Sequence, residues 1–236
     1  AASLAIIAGV DAIELHGHEG YMLDQFSTSL WNKRKDRYGG SLRNRLRLAF
    51  EIIDAINNAT NGDMPIIYRY GLTHYIDGGR SINEGLEMGR LLEQKGVAAF
   101  EVNAGCQDNY YLPHPTPYQP SGLMVDMAEK LKKVVDIPVI AIGKIGYPDL
   151  AENILESGKA DFIELGRPLL ADPEWPNKVK NGKLSSIRPC VQCNDGCIGR
   201  LAQSKYVSCT VYPVIGRYKD FEIRKTENIK KVLIVG

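Results

Sequence analysis

Four cysteines near the carboxyl end of the chain form the strongest chemical signal in the sequence. Cys190, Cys193, Cys197 and Cys209 follow the spacing Cys-x2-Cys-x3-Cys-x11-Cys. Zinc ribbons and fingers usually carry two separated close pairs, whereas a tight triplet with one distant cysteine is typical of an iron–sulfur cluster with three ligands from one loop. The spacing therefore favours a [4Fe–4S] cluster, with a zinc site and unligated thiols as the alternatives.

A second group of reactive side chains lies near the start of the chain. His16, Glu19 and Tyr21 follow a short apolar segment. A tyrosine hydroxyl can donate a proton, because an unperturbed phenol has a pKa of about 10 and is protonated at neutral pH. A histidine ring can hydrogen-bond a carbonyl and stabilise developing enolate charge. The group is a candidate catalytic site, and a polar loop with structural hydrogen bonds is the alternative.

Two glycine–cation pairs point to phosphate binding. Gly143 precedes Lys144 and Gly166 precedes Arg167, each pair at the end of a predicted strand. Open backbone amides beside a cation are the usual phosphate position in (β/α)8 barrels. Arg69, on another predicted strand, would add a positive group to the same region. Together these residues favour a phosphorylated cofactor, whereas each one alone is also compatible with a turn glycine or a surface base.

A long loop, residues 105–122, carries four prolines and the three tyrosines Tyr110, Tyr111 and Tyr118. A loop of this length in a compact domain is often a lid or a wall of the substrate site. Its stiff backbone and aromatic rings would suit an apolar or flat substrate. A rigid proline-rich excursion is the alternative.

Alternating strands and helices would position all of these residues. Short apolar segments predict strands at 12–15, 65–70, 98–103, 138–142 and 161–166. Repeated strand–helix alternation predicts an α/β fold with a parallel sheet and helical crossovers. A doubly wound sheet and a (β/α)8 TIM barrel both fit, and the polar or glycine-rich ends of the strands favour the barrel. Five units are fewer than eight, so we expect about strands 4–8, with strands 1–3 missing.

Helix boundaries can also be predicted. Apolar residues at three- and four-residue spacing between 42 and 56 form one stripe. Ser81 and Glu84 have the spacing of a capping box at the start of another helix, and Gly96 is expected to end it.

The composition excludes several classes of protein. The 236 residues are 44% hydrophobic and 24% charged, as in ordinary globular proteins. Lys and Arg number 29 against 28 Asp and Glu, whereas a nucleic-acid binder usually has a basic excess. No apolar stretch reaches the roughly 18 residues of a membrane span. We therefore expect a cytoplasmic protein without nucleic-acid or membrane partners.

Three regions are expected along the chain. Residues 1–185 would form the barrel portion and residues 186–216 the iron–sulfur segment. Residues 217–236 would form a linker and the first strand of a truncated FAD/NAD(P)-binding domain. The apolar run 232–235, followed by Gly236, suits the first strand of a dinucleotide-binding domain.

Three longer motifs resemble the Old Yellow Enzyme family. They are ELHGHEGYMLDQF at 14–26, NKRKDRYGGSLRNR at 32–45 and GRPLLADP at 166–173. With the cysteine segment, they are similar to its larger iron–sulfur flavoprotein branch, which includes 2,4-dienoyl-CoA reductase, enoate reductases and trimethylamine dehydrogenase. The resemblance implies an FMN-binding TIM barrel, a [4Fe–4S] cluster, and a missing carboxyl-terminal region that binds FAD and NAD(P)H.

The resemblance also implies cofactor contacts. Arg69 would contact the pyrimidine edge of the flavin, and Lys144 would contact FMN. Gly143, Gly166 and Arg167 would surround its phosphate. The four metal ligands would be Cys190, Cys193, Cys197 and Cys209.

Catalytic roles are implied in the same way. Tyr21 matches the proton-donating tyrosine of the family. His16 and Glu19 occupy the positions of the carbonyl-binding pair, where simple ene-reductases usually have His or Asn at the second position. Glu19 matches the dienoyl-CoA reductase-like branch instead. A catalytic histidine of dienoyl-CoA reductase falls near Asn109, and the nearest histidine in this sequence is His114.

The function implied is an FMN- and [4Fe–4S]-dependent NAD(P)H oxidoreductase. It would reduce a C=C bond conjugated to a carbonyl or thioester, and the reverse reaction would form that bond. The substrate would be a small enone or enoyl thioester. An oligomeric assembly is compatible with this function. An amine dehydrogenase of the trimethylamine type is the alternative within the family, and a non-catalytic fragment is the alternative from another class.

Overall fold

The computed structural model describes residues 1–222, 225, 227–228 and 230–233. Its strands in this part of the chain are β1 (Ile13–Gly17), β2 (Ile66–Gly71), β3 (Ala99–Asn103), β4 (Val139–Ala141) and β5 (Phe162–Ile163). Its helices are α1 (Ala2–Ile7), α2 (Met22–Ser27), α3 (Leu42–Arg45), α4 (Arg47–Thr60), α5 (Ile82–Gln94), α6 (Val125–Lys132), α7 (Pro148–Glu156), α8 (Arg167–Ala171) and α9 (Trp175–Lys180). Shorter turns lie at Gln107–Asn109, Leu184–Ser186 and Asp195–Gly199.

The five strands form one parallel sheet in the order β1-β2-β3-β4-β5. Each strand pairs with the next one along the chain, so every connection moves in the same direction. A doubly wound sheet reverses this direction at a switch point, and the described strands show no reversal. The order is that of consecutive strands in a barrel, and the predicted parallel α/β architecture is confirmed.

All five predicted strands form, but the last two are shorter than predicted. β4 spans Val139–Ala141 and β5 spans Phe162–Ile163, where the sequence predicted 138–142 and 161–166. The final ladder bond of β5 runs from Glu164 N–H to the Ala141 carbonyl at 2.9 Å. Beyond it the chain turns into α8, whose early proline cannot donate to a ladder.

The start and end of α5 follow the predicted signals, whereas the single helix expected from the stripe at 42–56 is interrupted at Leu46, between α3 and α4. At the start of α5, the Ser81 hydroxyl accepts a hydrogen bond from the Glu84 N–H at 3.2 Å. The capping box is only half formed, because the Glu84 carboxylate pairs with Arg45 at 2.7 Å. Gly96, with φ of 96°, ends the helical segment in a backbone conformation that glycine adopts readily.

The apolar core joins one face of the sheet to helices α4, α5 and α6. Tyr68 and Tyr70 of β2 are fully buried in it, and the Tyr70 hydroxyl donates to the Gly85 carbonyl at 3.0 Å. A Cβ at Gly85 would lie 2.0 Å from the Leu72 carbonyl oxygen. Glycine therefore permits α5 to pack directly on the end of β2.

The opposite face of the sheet carries polar side chains. Register pairs His16 of β1 with Arg69 of β2, and Arg69 with Glu101 of β3. Directly paired residues on neighbouring strands point to the same face. The parallel strands therefore set these three residues in a row across the sheet.

The segment with the four clustered cysteines contains the π-helical turn Asp195–Gly199. Of the strand predicted in 231–236, residues 234–236 lie outside the described residues, and Val232 and Leu233 are exposed in an irregular segment. The domain boundaries at 185 and 216 stay predictions. Within the described residues, every helix is too short or too polar to span a membrane.

Candidate active site

The turn after β1 carries the candidate catalytic side chains. The rings of His16 and Tyr21 lie 5.3 Å apart, centroid to centroid. Tyr21 precedes α2 and is half exposed. A Cβ at Gly17 would lie 2.5 Å from the Tyr68 ring, so glycine lets the end of β1 lie close to β2. The structure brings the predicted His16 and Tyr21 together.

A buried ionic network, which no sequence pattern predicted, holds this turn. Asp24 of α2 accepts a hydrogen bond from the Gly20 N–H at 2.9 Å and pairs with Arg80 at 2.6 Å and with His74 at 3.1 Å. Arg80 also donates to the Gly71 carbonyl at 2.6 Å. Burial raises the pKa of Asp24, but Arg80 and His74 outweigh it and hold that pKa well below its ordinary value. The network joins the turn to the loop after β2.

Hydrogen bonding also fixes the form of His74. The Arg80 N–H donates to His74 Nδ1 at 3.1 Å, so that nitrogen carries no proton. Nε2 then carries the proton that faces Asp24. The sequence signal that could have pointed to the network is a carboxylate in the apolar pattern of α2, where Leu23 and Asp24 are both buried.

Glu19 lies between two histidines. It is 8% exposed and has a left-handed backbone, with φ of 59°. Its Oε1 atom lies 3.7 Å from His18 Nδ1 and 3.6 Å from His114 Nδ1. Burial raises the pKa of Glu19, although Arg69 opposes this. A protonated carboxyl can donate a hydrogen bond, which is what a carbonyl-binding position requires.

The two neighbouring histidines are neutral at pH 7. Burial, with the Arg69 charge, lowers the pKa of His18 to about 2. Burial, with Arg167 and Arg69, lowers the pKa of His114 to about 4. His114 stacks on Tyr110 with 4.2 Å between centroids, so the loop 105–122 reaches the site. His18 was missed, and its only sequence signal is its place two residues after His16.

The five predicted cofactor-binding residues all line one cavity of about 210 Å³, namely Arg69, Gly143, Lys144, Gly166 and Arg167. A Cβ at Gly166 would meet no heavy atom within 4 Å, so glycine leaves the cavity wall open. Gly143 has φ of 108°, which also favours glycine. Open backbone beside cations fits a phosphorylated group such as FMN.

Arg69 shares its charge with two carboxyl groups that no sequence pattern predicted. Its Nε atom lies 3.0 Å from Glu101 Oε1, and its Nη1 atom lies 3.5 Å from Glu164 Oε1. Burial and then the hydrogen bond with Glu164 raise the pKa of Glu101, although the Arg69 charge opposes this rise. A neutral Glu101 would leave more of the Arg69 charge for a ligand.

Lys144 and Arg167 both donate to the loop 105–122. Lys144 Nζ donates to the carbonyls of Thr116, Pro117 and Gln119. Arg167 donates to the Pro115 carbonyl at 2.6 Å and to the side chain of Asn194. Lys144 and Arg167, which were predicted to contact the cofactor, therefore also hold the loop beside the cavity.

The four predicted metal ligands gather around one small cavity, lined by Cys190, Cys193, Cys197 and Cys209. Among the described residues, their sulfurs are not in the groups of three or more ligand atoms that lie within 4.8 Å of one another. Thiolates are the ligands of iron–sulfur clusters and of many zinc sites. A hydrogen bond with Thr210 lowers the pKa of Cys193, and burial raises the pKa of Cys190.

Similarity to known proteins extends over the whole chain. A family model described as NADH:flavin oxidoreductase / NADH oxidase family matches residues 1–185. Cinnamate reductase from Clostridium sporogenes is 44% identical over 250 residues, which cover 100% of this chain and 38% of that protein. The chain spans 38% of the length of cinnamate reductase and 35% of the length of each of two further curated relatives.

Two solved structures share the fold. The 2-naphthoyl-CoA reductase–2-naphthoyl-CoA complex gives a TM-score of 0.87 at 30% identity, covering 93% of this chain and 34% of that chain. Histamine dehydrogenase from Rhizobium sp. 4-9 gives 0.82 at 29% identity, covering 90% and 31%. The family resemblance is confirmed, and the chain belongs to the NADH:flavin oxidoreductase / NADH oxidase family.

Proposed function

We propose that this chain is part of an FMN- and [4Fe–4S]-dependent oxidoreductase that uses NAD(P)H to reduce a C=C bond conjugated to a carbonyl or thioester. The His16–Tyr21 pair carries this proposal, with 5.3 Å between ring centroids. Arg69, the register neighbour of His16, lines the candidate cofactor cavity. A group that binds a carbonyl and a phenol that delivers a proton are what this reduction needs. The similarity to cinnamate reductase supports the substrate class.

The residues would divide the reaction between them. His16 and Glu19 would bind the carbonyl oxygen and stabilise the charge that develops there. Tyr21 would donate a proton to the α-carbon. Reduced FMN, held by Arg69 and Lys144, would supply the hydride. Partial burial and the Arg69 charge lower the pKa of His16, so His16 would act as a neutral ring.

The cysteine segment is proposed to hold one [4Fe–4S] cluster that relays electrons. Anaerobic reconstitution of the full-length protein should give about four irons, and Cys193→Ser should lose most of them. Cys106→Ser is the matched control, because Cys106 is buried outside the segment and its variant should keep the iron. One tightly bound zinc without sulfide would overturn the cluster.

The parts of the electron path beyond this chain are also proposals. The matched relatives are much longer than the chain, and we propose that a following region binds FAD and NAD(P)H. Residues 1–185 would then be about strands 4–8 of the FMN barrel, 186–216 the cluster segment, and 217–236 a linker with a first strand. The isolated chain should bind FMN weakly, because β1 and β5 leave open sheet edges. Stoichiometric FMN in the isolated chain would contradict this.

An amine dehydrogenase is the second candidate, because histamine dehydrogenase shares the fold. Several aromatic faces around one cation are the usual way to bind a quaternary-like amine. Tyr110 stacks on His114, whereas Tyr111 is 55% and Tyr118 is 94% exposed. Because the three loop tyrosines do not share one enclosure, the arrangement favours the alkene reductase.

Turnover by the full-length protein tests the two candidates. Cinnamate or a crotonyl thioester is supplied with NADH or NADPH in one arm, and trimethylamine or histamine with an artificial electron acceptor in the other. We expect nicotinamide oxidation that depends on the alkene, and no acceptor reduction with either amine. Amine oxidation without alkene turnover would overturn the proposed function in favour of the second candidate.

A further inference from the structure

Residues 113–120 form few hydrogen bonds among themselves: the Gln119 N–H donates to the Thr116 carbonyl at 3.3 Å, and the Gln119 side chain accepts from the Thr116 N–H at 2.8 Å. Four of these eight residues are prolines, which lack the N–H group that would close local turns. Backbone carbonyls away from water need donors. Here the donors come from three separate elements: Lys144 after β4, Arg167 at the start of α8, and Asn194 in the cysteine segment.

Asn194 is the donor that lies among the candidate metal ligands, between Cys193 and Cys197. Its Nδ2 atom donates to the His114 carbonyl at 2.9 Å, and its Oδ1 atom accepts from Arg167 Nη1. Its backbone is left-handed, with φ of 58°, a conformation that Asn, Asp and Gly adopt most readily. An asparagine at position 194 therefore suits the left-handed backbone and can make both side-chain hydrogen bonds.

His114 connects this contact to the candidate active site. Asn194 holds its backbone, while its ring lies 3.6 Å from Glu19 and stacks on Tyr110. A continuous series of contacts therefore runs from the cysteine segment, through one amide side chain, to the proposed carbonyl-binding position.

We propose that Asn194 is a positioning residue whose side chain couples the fold of the cysteine segment to the placement of His114 opposite Glu19. The coupling rests on the proposed function, because metal loading of the cysteines is what would order the segment. With the segment ordered, the carbonyls of residues 114 and 115 are held by Asn194 and Arg167. Without it, residues 113–119 keep the bonds from Lys144 and Arg167, but the His114 carbonyl loses its side-chain donor and His114 loses its fixed place.

Three substitutions separate these contacts. Asn194→Gly removes both side-chain bonds and tolerates the left-handed backbone. Asn194→Asp keeps an acceptor for Arg167, but it loses the donor and sets a carboxylate against the His114 carbonyl. Ser204→Gly is the matched control, because Ser204 is exposed, has a left-handed φ of 53° in the same segment and lies outside this set of bonds.

Amide hydrogen exchange of residues 107–124, with iron measured on the same samples of full-length protein, reports the coupling. Asn194→Gly and Asn194→Asp should each speed exchange by about 10-fold, the effect of a lost hydrogen bond, and Ser204→Gly should match the parent. Removing iron with a chelator should speed exchange in the parent similarly and leave Asn194→Gly unchanged. The KM for the alkene should rise about 10-fold in both Asn194 variants, with kcat changed less than about 3-fold.

The exchange measurement does not depend on turnover, so absence of alkene reduction would defeat the proposed function while the coupling is still decided. Parent exchange rates in both Asn194 variants would overturn the coupling. So would chelation that leaves residues 107–124 of the parent unchanged, and a full-length protein that binds no iron would overturn the coupling and the cluster together. If Asn194→Gly takes up no iron, Asn194→Asp decides by the same comparison.

Discussion

The two sides of the candidate site are held in place by different interactions. The proton-donor side is the turn at residues 16–21, which carries the proposed proton donor Tyr21. It is fixed by Asp24, Arg80 and His74, which are almost completely buried and bonded to one another. On the loop side, residues 113–119 are fixed through their backbone carbonyls by side chains from other elements. The proton-donor side is therefore held by a buried ionic network, and the loop side by hydrogen-bond donors from residues outside the loop.

Because the two sides are held differently, we expect only the loop side to change its hydrogen bonds when a cofactor binds. The donors that hold the loop include Lys144 and Arg167, which line the candidate cofactor cavity. A cofactor phosphate would compete with the loop carbonyls for the same N–H groups. The turn at residues 16–21 uses no such shared group. Changes on the proton-donor side should therefore alter chemistry or global stability, and changes on the loop side should alter ligand binding.

Replacing Tyr21 with Phe should give the largest effect and should be confined to the chemical step. The variant loses the phenol and keeps the ring beside His16. We expect the alkene-dependent reoxidation of the flavin to slow by about 10²–10⁴-fold, the usual contribution of a general acid. Reduction of the flavin by NAD(P)H should be nearly unchanged. Stopped-flow absorbance of the flavin measures the two half-reactions separately.

His16→Ala is the contrasting variant for this prediction. Loss of the carbonyl contact should weaken both binding and transition-state stabilisation, so kcat and KM should both change. Reoxidation of Tyr21→Phe at the parent rate would show that the proton comes from another donor, such as His114 or water. Tyr21 would then not be the general acid.

The second prediction concerns the buried network. Arg80→Met would leave Asp24 without its cation in the interior, and breaking a buried pair in this way typically costs about 3–5 kcal/mol. Arg90→Met breaks an exposed pair with Glu87 and should lower the free energy of unfolding by less than about 1 kcal/mol. Urea titrations of the full-length protein give both values, and equal losses would show that the turn does not depend on the network.

The same pair predicts a definite pH dependence. Burial raises the pKa of Asp24, but Arg80 and His74 more than offset it and hold that pKa below its ordinary value. The stabilisation is therefore present above about pH 4 and is lost as the pH falls further. The stability gap between the parent and Arg80→Met should narrow below about pH 4. A constant gap would show that Arg80 does not hold Asp24 ionised.

Local signals in the sequence predicted much of the fold and part of the site. Strand positions, the Ser81 cap and the Gly96 stop depend on residues close together in the chain. The turn with His16 and Tyr21 is similarly contiguous. That Arg69, Gly143 and Gly166 line one cavity could be predicted, because parallel strands bring their carboxyl ends to one edge.

The contacts that were missed join residues far apart in the chain. Asp24 and Arg80 are 56 positions apart, Arg69 and Glu101 are 32 apart, and Asn194 and His114 are 80 apart. No spacing rule predicts these bonds, because each one depends on how elements that are distant in the sequence pair or pack in the fold. The shorter β5 has a related cause, since its length depends on the turn into α8.

The third prediction tests the loop side through Lys144. Lys144→Met removes a charge and its bonds to the loop carbonyls. Affinity for FMN should fall about 10–100-fold, since bonds from charged groups contribute roughly 1.5–3 kcal/mol. Lys159→Met is the matched control, because Lys159 pairs with Glu129 at 3.9 Å on the surface. Fluorescence titration of the apoprotein with FMN measures both, and unchanged affinity in Lys144→Met would assign Lys144 to the loop alone.

The smallest effect is expected at Glu19, where the two sides meet. Glu19 lies 3.7 Å from His18 on the turn and 3.6 Å from His114 on the loop. Burial raises its pKa, so the carboxyl stays protonated to higher pH than an exposed one. If it donates to the carbonyl, the alkene-dependent rate should fall as the pH rises through that raised pKa. Glu19→Gln donates an N–H at every pH, so its profile should be flatter, with a rate within about 10-fold of the parent at neutral pH.

Stability provides an independent check of Glu19 with a definite sign. A carboxyl whose pKa is raised in the folded state favours folding at low pH, and that contribution is lost as the pH rises through the folded pKa. Glu19→Gln should therefore match the parent near about pH 4 and be the more stable protein at neutral pH. Glu152→Gln, which changes an exposed carboxylate of α7, should show neither effect. A parent rate that does not fall over the pH range in which Glu19→Gln becomes the more stable protein would mean that Glu19 donates nothing to the substrate, and His16 alone would then bind the carbonyl.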